Sequence, residues 1–319
     1  MSYRYFIGID IAKDFFDVAL HGMPRSARRF DNTPAGFSAF CKAFAHELPE
    51  AFIVLEATGG YETALLMHLC KSGRAVHRVQ PLTARHYMKS LRSFGKNDAL
   101  DAAALARYGS ERHDGLCLFV PAGKTLRILQ DLHMRREDLL AMRIAESQRL
   151  KHPRYESQRE SVRAVRDMLN AQLAAIESRM RELIENDAEL KKKKDVLTAV
   201  KSIGDTTARC LIACMPELGT LTRRKAASLA GLAPHPRDSG NHYGYRSVRG
   251  GRQAVRKALF MAAMSAVRYN PQMKAFYCKL IKNGKKPIVA LVAVMRKIIV
   301  TLNAKIRDAC YPELNFKTW

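Results

Sequence analysis

Asp98 and Asp101 lie three residues apart at the head of an alanine-rich segment, GKNDALDAAALARYG. In a helix this spacing places both side chains on one face, with their Cβ atoms about 5 to 6 Å apart. Two carboxylates this close repel each other. One explanation of the pair is that acidic side chains in a first helical turn complement the positive end of the helix dipole. The other is a metal site that further carboxylates complete.

Two further carboxylates occur at the ends of otherwise apolar segments. Asp10 lies within YFIGIDIA, and Glu56 ends the run AFIVLE before a Thr-Gly-Gly turn. Strands disfavour Asp, and burial of an unpaired carboxylate is costly. Either acid alone could reach solvent at a strand end. Two such strands, followed by two acids on one helical face, predict a shared site.

Four carboxylates without a histidine or thiol at ligand spacing suit a hard cation that prefers oxygen ligands, Mg²⁺ or Mn²⁺. Two such ions about 3.5 to 4 Å apart can activate an attacking oxygen and stabilise a leaving oxygen in phosphodiester chemistry. The ions would also neutralise the repulsion between the carboxylates. The predicted chemistry is therefore metal-dependent phosphoryl transfer.

Strand and helix signals alternate over residues 1–115. Three strand-like segments come first, YRYFIGIDIA, DFFDVALHG and ARRFDNT. The helical segment PAGFSAFCKAFAHEL follows, and then the apolar run AFIVLEA, the helical GYETALLMHLCKSG, the strand-like RAVHRVQ and the helix that carries the acid pair. This order predicts a mixed sheet covered by helices.

Residues 116–195 carry no strand signal, and Pro153 predicts a break between two long helices. Heptad spacing over the second half predicts a coiled coil whose apolar seam is either an internal antiparallel hairpin or a dimer contact. The seam consists of Val162, Leu169, Leu173, Ile176, Met180, Leu183 and Leu190.

Positive charge is concentrated in residues 196–319, where Lys and Arg outnumber Asp and Glu by 22 to 5, in a chain of formal net charge +24. Such an excess costs self-repulsion and indicates a polyanionic partner, most simply nucleic acid. The loop APHPRDSGNHYGYRSVRGG is rich in Pro, Gly, Asn and Asp, which predicts irregular backbone. The helical segment GRQAVRKALFMAAMSAV follows it directly.

Seven cysteines without a CxxC pair do not predict a disulfide framework or a zinc ribbon. Cys210 and Cys214 have helical spacing, but no histidine partner is expected near them. A reducing cytoplasm fits this pattern. The N-terminus lacks the layout of a signal peptide, and Arg296 and Lys297 interrupt the most apolar late stretch. These features predict a soluble cytoplasmic protein without a membrane span.

The segments GIDIAK, LEATGGYE and KNDALDA occur in an order that resembles the DEDD pattern of Piv/MooV-type transposases and DNA invertases. TAVKSIGDTTA, LAGLAPHPRDSG and VRGGRQAVRKALFMAA resemble the C-terminal half of the same family. The resemblance implies an α/β ribonuclease-H-like (RuvC-like) nuclease domain over residues 1–115. It further implies a long helical coiled-coil spacer over 116–195 and a mainly α-helical basic transposase domain over 196–319.

The resemblance also implies site residues. Asp10, Glu56, Asp98 and Asp101 take the four acidic positions that bind Mg²⁺ (or Mn²⁺), and Ser239 takes the position of a serine nucleophile. Tyr243 and Tyr245 are rival hydroxyls in the same loop, and His242 either orients the scissile phosphate or hydrogen-bonds within the loop. Predicted contacts to nucleic acid are Arg237, Arg246, Arg249, Arg252, Arg256 and Lys257.

The activity implied is DNA recombination, by transposition of an insertion sequence or by inversion of a DNA segment. The recombinase would act on double-stranded DNA as a homo-oligomer, a dimer or tetramer, in the nucleoid of a prokaryotic cytoplasm. Some relatives use a structured bridge RNA as a guide, so a guide RNA is a further candidate partner. Two alternatives remain, namely a structure-specific endonuclease that uses water and a non-catalytic nucleic-acid-binding protein.

Overall fold

The structure is a computed structural model that describes residues 3–23, 27–91, 98–236, 238, 240, 244 and 246–314. The chain divides into two compact units, Met1–Ala122 and Gly123–Trp319, called unit 1 and unit 2 below. The finer division into three domains remains a prediction.

Unit 1 contains a five-stranded mixed sheet in the order β3-β2-β1-β4-β5. Strand β2 pairs antiparallel with β1 and β3, and β4 pairs parallel with β1 and β5. The strands are β1 (Tyr5–Ile11), β2 (Phe15–Leu20), β3 (Arg28–Asp31), β4 (Ala51–Glu56) and β5 (Ala75–Val79). The predicted mixed sheet is thus confirmed.

Helices cover the sheet because its central strands are apolar on both faces. Ile7 and Ile9 of β1 pack on one face with Phe37 and Phe40, whereas Phe52 of β4 belongs to a separate cluster on the other face. The helices of unit 1 are α1 (Pro34–Ala43), α2 (Thr63–Lys71), α3 (Pro81–Ser90) and α4 (Asp98–Arg112), and short 3₁₀ turns span Leu48–Glu50 and His113–Gly115.

Unit 2 is mainly helical within the described residues. Two short strands, β6 (Pro234–His235) and β7 (Ser247–Val248), pair antiparallel within the segment predicted to be irregular. The helices are α5 (Lys124–Arg149), α6 (Arg159–Glu185), α7 (Ala188–Thr198), α8 (Asp205–Cys214), α9 (Arg223–Leu229), α10 (Gln253–Tyr269), α11 (Pro271–Lys282) and α12 (Pro287–Cys310).

Helices α5 and α6 form a hairpin around the 3₁₀ turn Pro153–Gln158, where the break was predicted. Leu139 of α5 packs with Leu169 and Leu173 of α6 in a buried cluster. Arg136 Nε also donates to Glu177 Oε1 across the hairpin at 2.7 Å. The apolar seam is therefore at least in part internal to the chain, and its description as a coiled coil remains a prediction.

Helix α12 is long and apolar enough to cross a membrane, with a mean hydropathy of 1.7. Its side chains Val294, Ile299 and Leu302 are nevertheless fully buried in the core of unit 2. Asn303 is buried as well, and its side chain accepts from Gly219 N at 2.9 Å and donates to Leu221 O at 2.7 Å. These contacts favour a core helix over a membrane span.

Candidate metal centre

Asp10 and Glu56 lie side by side at the carboxyl ends of two neighbouring strands. Strands β1 and β4 are parallel, and Ile9 is in register with Leu55. Asp10 and Glu56 are the next residues on their strands, so their side chains point to the same face of the sheet.

Helix α4 lies close against this face because the residues at the contact are small, Gly8 on β1 and Ala102 and Ala106 on α4. A Cβ atom added to Gly8 would lie 2.0 Å from the carbonyl oxygen of Ala102 and 2.2 Å from the nitrogen of Ala106. Further along the helix, a Cβ atom on Gly109 would lie 3.5 Å from Phe52, which is nearer the start of β4. Since later helix residues face earlier strand residues, the first turn of α4 lies toward the carboxyl ends of β1 and β4.

That first turn carries Asp98 and Asp101. Burial is the largest cause, and repulsion by Asp101, Asp98 and Glu56 the next, of a rise in the pKa of Asp10 to about 6. Burial also raises the pKa of Glu56, together with repulsion by Asp101, against the opposing effect of Arg85. The four acids predicted from sequence therefore share one electrostatic environment.

A divalent cation fits this donor set. The four groups offer only oxygen ligands, which suits Mg²⁺ or Mn²⁺, and a bound cation would relieve the repulsion that disfavours ionised Asp10. The carboxylates are more widely spaced than a closed site requires. Within the described residues no three of these acids have ligand atoms all within 4.8 Å of one another. Metal binding would therefore draw the carboxylates together.

An arginine on the edge strand holds one of the four acids. Arg29 Nε and Nη2 donate to the two oxygens of Asp17 at 3.2 and 2.8 Å, and Nη2 also donates to Asp98 Oδ2 at 3.1 Å. Asp17 pairs in register with both Asp10 and Arg29, so all three side chains share a face. The Arg29 guanidinium also stacks 3.7 Å from the centroid of the Phe15 ring. Arg29 is thus a positioning residue for Asp98.

Sequence reasoning missed both Asp17 and Arg29. Asp17 carries the same signal as Asp10, since it is an acid inside the apolar strand FFDVAL. Arg29 gave no such signal, because a lysine or arginine on an exposed edge strand is common.

If Asp98 binds a catalytic metal, an Arg29→Ala variant is expected to recombine DNA about 10- to 100-fold more slowly, the usual effect of losing a residue that orients a metal ligand. Arg29→Lys should restore only part of the rate, because an ammonium group cannot reproduce the forked contact to Asp17. Recombination rates of purified variants at saturating Mg²⁺ measure both effects. Arg28→Ala, on the same strand, is the matched control, and an equal loss in that variant would contradict the assignment.

A buried glutamate fixes the turn that follows Glu56. Glu62 is 3% exposed, and its Oε2 atom accepts from Thr58 N at 3.1 Å and Gly60 N at 2.9 Å. Its other oxygen lies 3.6 Å from Arg78 Nη1. The turn that ends β4 is therefore held by charge-assisted hydrogen bonds, which restricts the position of Glu56.

Only some of the site residues predicted in the basic C-terminal part of the chain are described by the structure. Ser239 and Arg237 lie outside the described residues, as do His242, Tyr243 and Tyr245. Arg246, Arg249 and Lys257, which follow these residues in the chain, have exposed side chains. Arg246 Nη1 donates to Asp238 Oδ2 at 2.8 Å.

The two other predicted basic contacts already have partners inside unit 2. Arg252 donates through both terminal nitrogens to Glu217 at 2.6 Å, and Nη1 also reaches the carbonyl oxygen of Cys214 at 2.8 Å. Arg256 Nη1 donates to Gly231 O at 3.3 Å. Their contact with nucleic acid remains a prediction, and the structure gives Arg252 a structural role as well.

The expectation that Cys210 and Cys214 have no histidine partner is wrong. His133 of α5 lies beside them, and the ligand atoms of the three residues are all within 4.8 Å of one another. The contact escaped sequence reasoning because the histidine lies on a different helix, 77 residues from Cys210.

Comparison with known proteins gives matches in both halves of the chain. A model of DEDD transposases of the IS110 type matches residues 7–152, and a model of the IS116/IS110/IS902 transposase family matches residues 194–278. The pilin gene-inverting protein of Moraxella lacunata is 29% identical over 319 residues, which cover 96% of both chains. A 43.6 kDa protein of insertion element IS110 from Streptomyces coelicolor is 32% identical over 121 residues, 37% of this chain and 30% of the relative.

Proposed function

The chain belongs to the IS116/IS110/IS902 family of DEDD transposases, which includes related DNA invertases, and on this basis we propose that it cleaves and rejoins DNA strands in a metal-dependent reaction. The observation that carries the proposal is the convergence of four carboxylates at the carboxyl ends of β1 and β4. The mixed sheet, ordered β3-β2-β1-β4-β5 beneath α4, supports a ribonuclease-H-like domain.

In this proposal Asp10, Glu56, Asp98 and Asp101 hold Mg²⁺ or Mn²⁺. Such ions, when bound, activate an attacking oxygen and stabilise a leaving oxygen of a phosphodiester. Burial on β1 keeps Asp10 away from bulk water, which strengthens its interaction with a cation. Arg29 and Glu62 restrict the positions of Asp98 and of the turn after Glu56.

Ser239 is the proposed nucleophile. Its hydroxyl releases its proton to solvent, and Oγ forms a bond to a DNA phosphorus as the bond to a deoxyribose oxygen breaks. The leaving oxygen takes up a proton and becomes a free hydroxyl. The resulting protein–DNA ester conserves the phosphodiester energy, so a second deoxyribose hydroxyl can displace the serine without added fuel. The support for this role is the match of the Arg-Asp-Ser-Gly segment to the family.

The basic residues of unit 2 are proposed to hold DNA phosphates. Arg246 and Arg249 are exposed in the C-terminal part of the loop 233–251, which contains Ser239, and Lys257 is exposed shortly after it. The predicted set also includes Arg237, Arg252 and Arg256. Contacts of this kind make binding weaken steeply with salt. The recombinase is proposed to act as a homo-oligomer, a dimer or tetramer, in the prokaryotic nucleoid. A structured guide RNA is a further proposed partner.

Between the two recombination reactions, the extent of similarity favours inversion. The gene-inverting relative matches across 96% of both chains, whereas the IS110 protein matches over 37% of this chain. We therefore propose site-specific inversion of a DNA segment as the first reaction to test, with transposition as the alternative.

Trapping a covalent intermediate separates recombination from the alternatives. Wild-type protein incubated with cognate DNA and Mg²⁺ is expected to give a protein–DNA adduct on denaturing electrophoresis, and Ser239→Ala is expected to give none. Tyr243→Phe and Tyr245→Phe are the controls and should retain the adduct. Cleavage without an adduct would indicate an endonuclease that uses water. Binding without any cleavage would indicate a non-catalytic DNA-binding protein.

A further inference from the structure

A cluster of one histidine and two cysteines lies inside unit 2, away from the acidic site in sequence and in donor chemistry. His133 is 6% exposed and Cys210 is 7% exposed, and Cys214 is partly buried. The Nε2 atom of His133 is 4.0 Å from Sγ of Cys210. Among the described residues no other group of three His, Cys, Asp or Glu side chains has ligand atoms within 4.8 Å of one another.

Two packed helices hold this cluster in place. Cys210 and Cys214 are one turn apart on α8, so their thiols share a face. His133 is presented by α5, and Gln130, one turn earlier on α5, donates from Nε2 to Ala213 O of α8 at 3.1 Å. Ligands on rigid helices whose packing is fixed need little rearrangement to bind an ion.

The geometry points to a zinc ion bound by His133, Cys210 and Cys214. Zinc–nitrogen bonds of about 2.0 to 2.1 Å and zinc–sulfur bonds of about 2.3 Å, in tetrahedral arrangement, place nitrogen about 3.6 Å from sulfur. The observed 4.0 Å between Nε2 and Sγ differs from this by a few tenths of an ångström. Imidazole and thiolate are also the ligands that zinc prefers, and Mg²⁺ does not.

His133 and Cys210 help to line a cavity of about 450 Å³. The charged side chains of Glu137, Arg136, Arg209 and Lys257 line the same cavity, which is therefore partly polar. A water molecule would supply the fourth ligand of a bound zinc ion. The thiol of Cys210, which donates to Ala254 O at 3.7 Å, would release its proton on zinc binding.

The ion would fix the end of helix α8 that contacts the start of helix α10. The carbonyl oxygen of Ala254 in the first turn of α10 accepts from Cys210, and the carbonyl oxygen of Cys214 accepts from Arg252, the residue immediately before α10. Zinc would therefore link α5 to α8 in unit 2, and α8 would hold the start of α10 through Arg252, because a zinc-bound Cys210 thiolate no longer donates to Ala254 O. This role is independent of the proposed reaction and of the acidic site.

Titration with Co²⁺, which substitutes for zinc, tests the site in the full-length, reduced, metal-free protein. One equivalent is expected to produce sulfur-to-cobalt charge-transfer absorption, which carboxylate ligands cannot give. Cys214→Ser should lose at least nine-tenths of this absorption, and Cys310→Ser, with a similarly half-buried thiol, should retain it. No charge-transfer absorption in the wild-type protein, or equal absorption in Cys214→Ser, would overturn the assignment.

Alkylation of the wild-type protein gives a second measurement that does not depend on a variant folding. One equivalent of Zn²⁺ is expected to slow iodoacetamide labelling of Cys214 at least 10-fold, as measured by mass spectrometry of peptides. Labelling of Cys278, an exposed thiol of α11, should not change. Equal labelling of Cys214 with and without Zn²⁺ would overturn the site, whatever the outcome of the recombination experiments.

Discussion

An Asp10→Asn variant is expected to be inactive in recombination and yet to melt at a higher temperature than the wild-type protein when both are free of metal. The two changes have opposite signs because the ionised carboxylate is useful only with a cation beside it. Without the cation it is a partly buried charge surrounded by other acids, which destabilises the folded state. Residues placed for function often have this cost.

The expected stability change follows from the pKa of Asp10, which rises from 3.8 to about 6 on folding. A raised carboxyl pKa means that the folded state favours the protonated form. The stability that protonated Asp10 contributes to the folded state is fully present below pH 3.8 and is lost as the pH rises through 6. At pH 8 the amide of Asn avoids this loss, worth about 1 to 2 kcal/mol after allowance for solvent screening of a partly exposed group.

The expected loss of activity is about 1,000-fold or more, since metal ions supply several kcal/mol of transition-state stabilisation and each 1.36 kcal/mol is a factor of ten. Thermal melts with and without Mg²⁺ and a plasmid recombination assay measure the two effects. Mg²⁺ should raise the melting temperature of the wild-type protein but not that of Asp10→Asn. Asp114→Asn, whose side chain is 96% exposed, is the control and should change neither property.

A variant that recombined DNA at the wild-type rate would remove Asp10 from the metal site. A metal-free variant that melted below the wild-type protein would contradict the repulsion among the acids.

The elements and the four acids could be predicted because each carries a local signal. Asp10 and Glu56 stand out in strands whose other positions are apolar, and Asp98 and Asp101 share a helical face by spacing alone. A mixed sheet then follows from three consecutive strands with alternating helices and strands after them. These inferences use only residues that are near one another in sequence.

The contacts that hold the acids in position could not be predicted in the same way. Arg29 reaches Asp98, 69 residues away, only because β3 pairs with β2 in a register that sets Arg29 opposite Asp17. A shift of that register by one residue would turn Arg29 to the other face. His133 and Cys210 meet for a comparable reason, through the packing of α5 on α8.

Gly8 is a position in unit 1 where a single added methyl group is expected to have a large effect on stability. A Cβ atom there would lie 2.0 Å from Ala102 O and 2.2 Å from Ala106 N, both backbone atoms of α4 that no side-chain rotation can move away. Relief of the contact requires α4 to move off the sheet, where Leu105 is 1% exposed. Gly8→Ala is therefore expected to lower the free energy of unfolding by at least about 3 kcal/mol.

Recombination should fall further than stability alone would cause, because α4 carries Asp98 and Asp101. Displacement of a catalytic group by about 1 Å can cost about 100-fold in rate. Urea unfolding followed by circular dichroism, and recombination at a temperature where the variant is still folded, separate the two losses.

Gly115→Ala is the matched control, since its added Cβ would meet no atom within 4 Å. If Gly8→Ala unfolded at the same urea concentration as Gly115→Ala, the close packing of α4 on β1 would be wrong. The packing that brings the helix acids to the strand acids would then need another explanation.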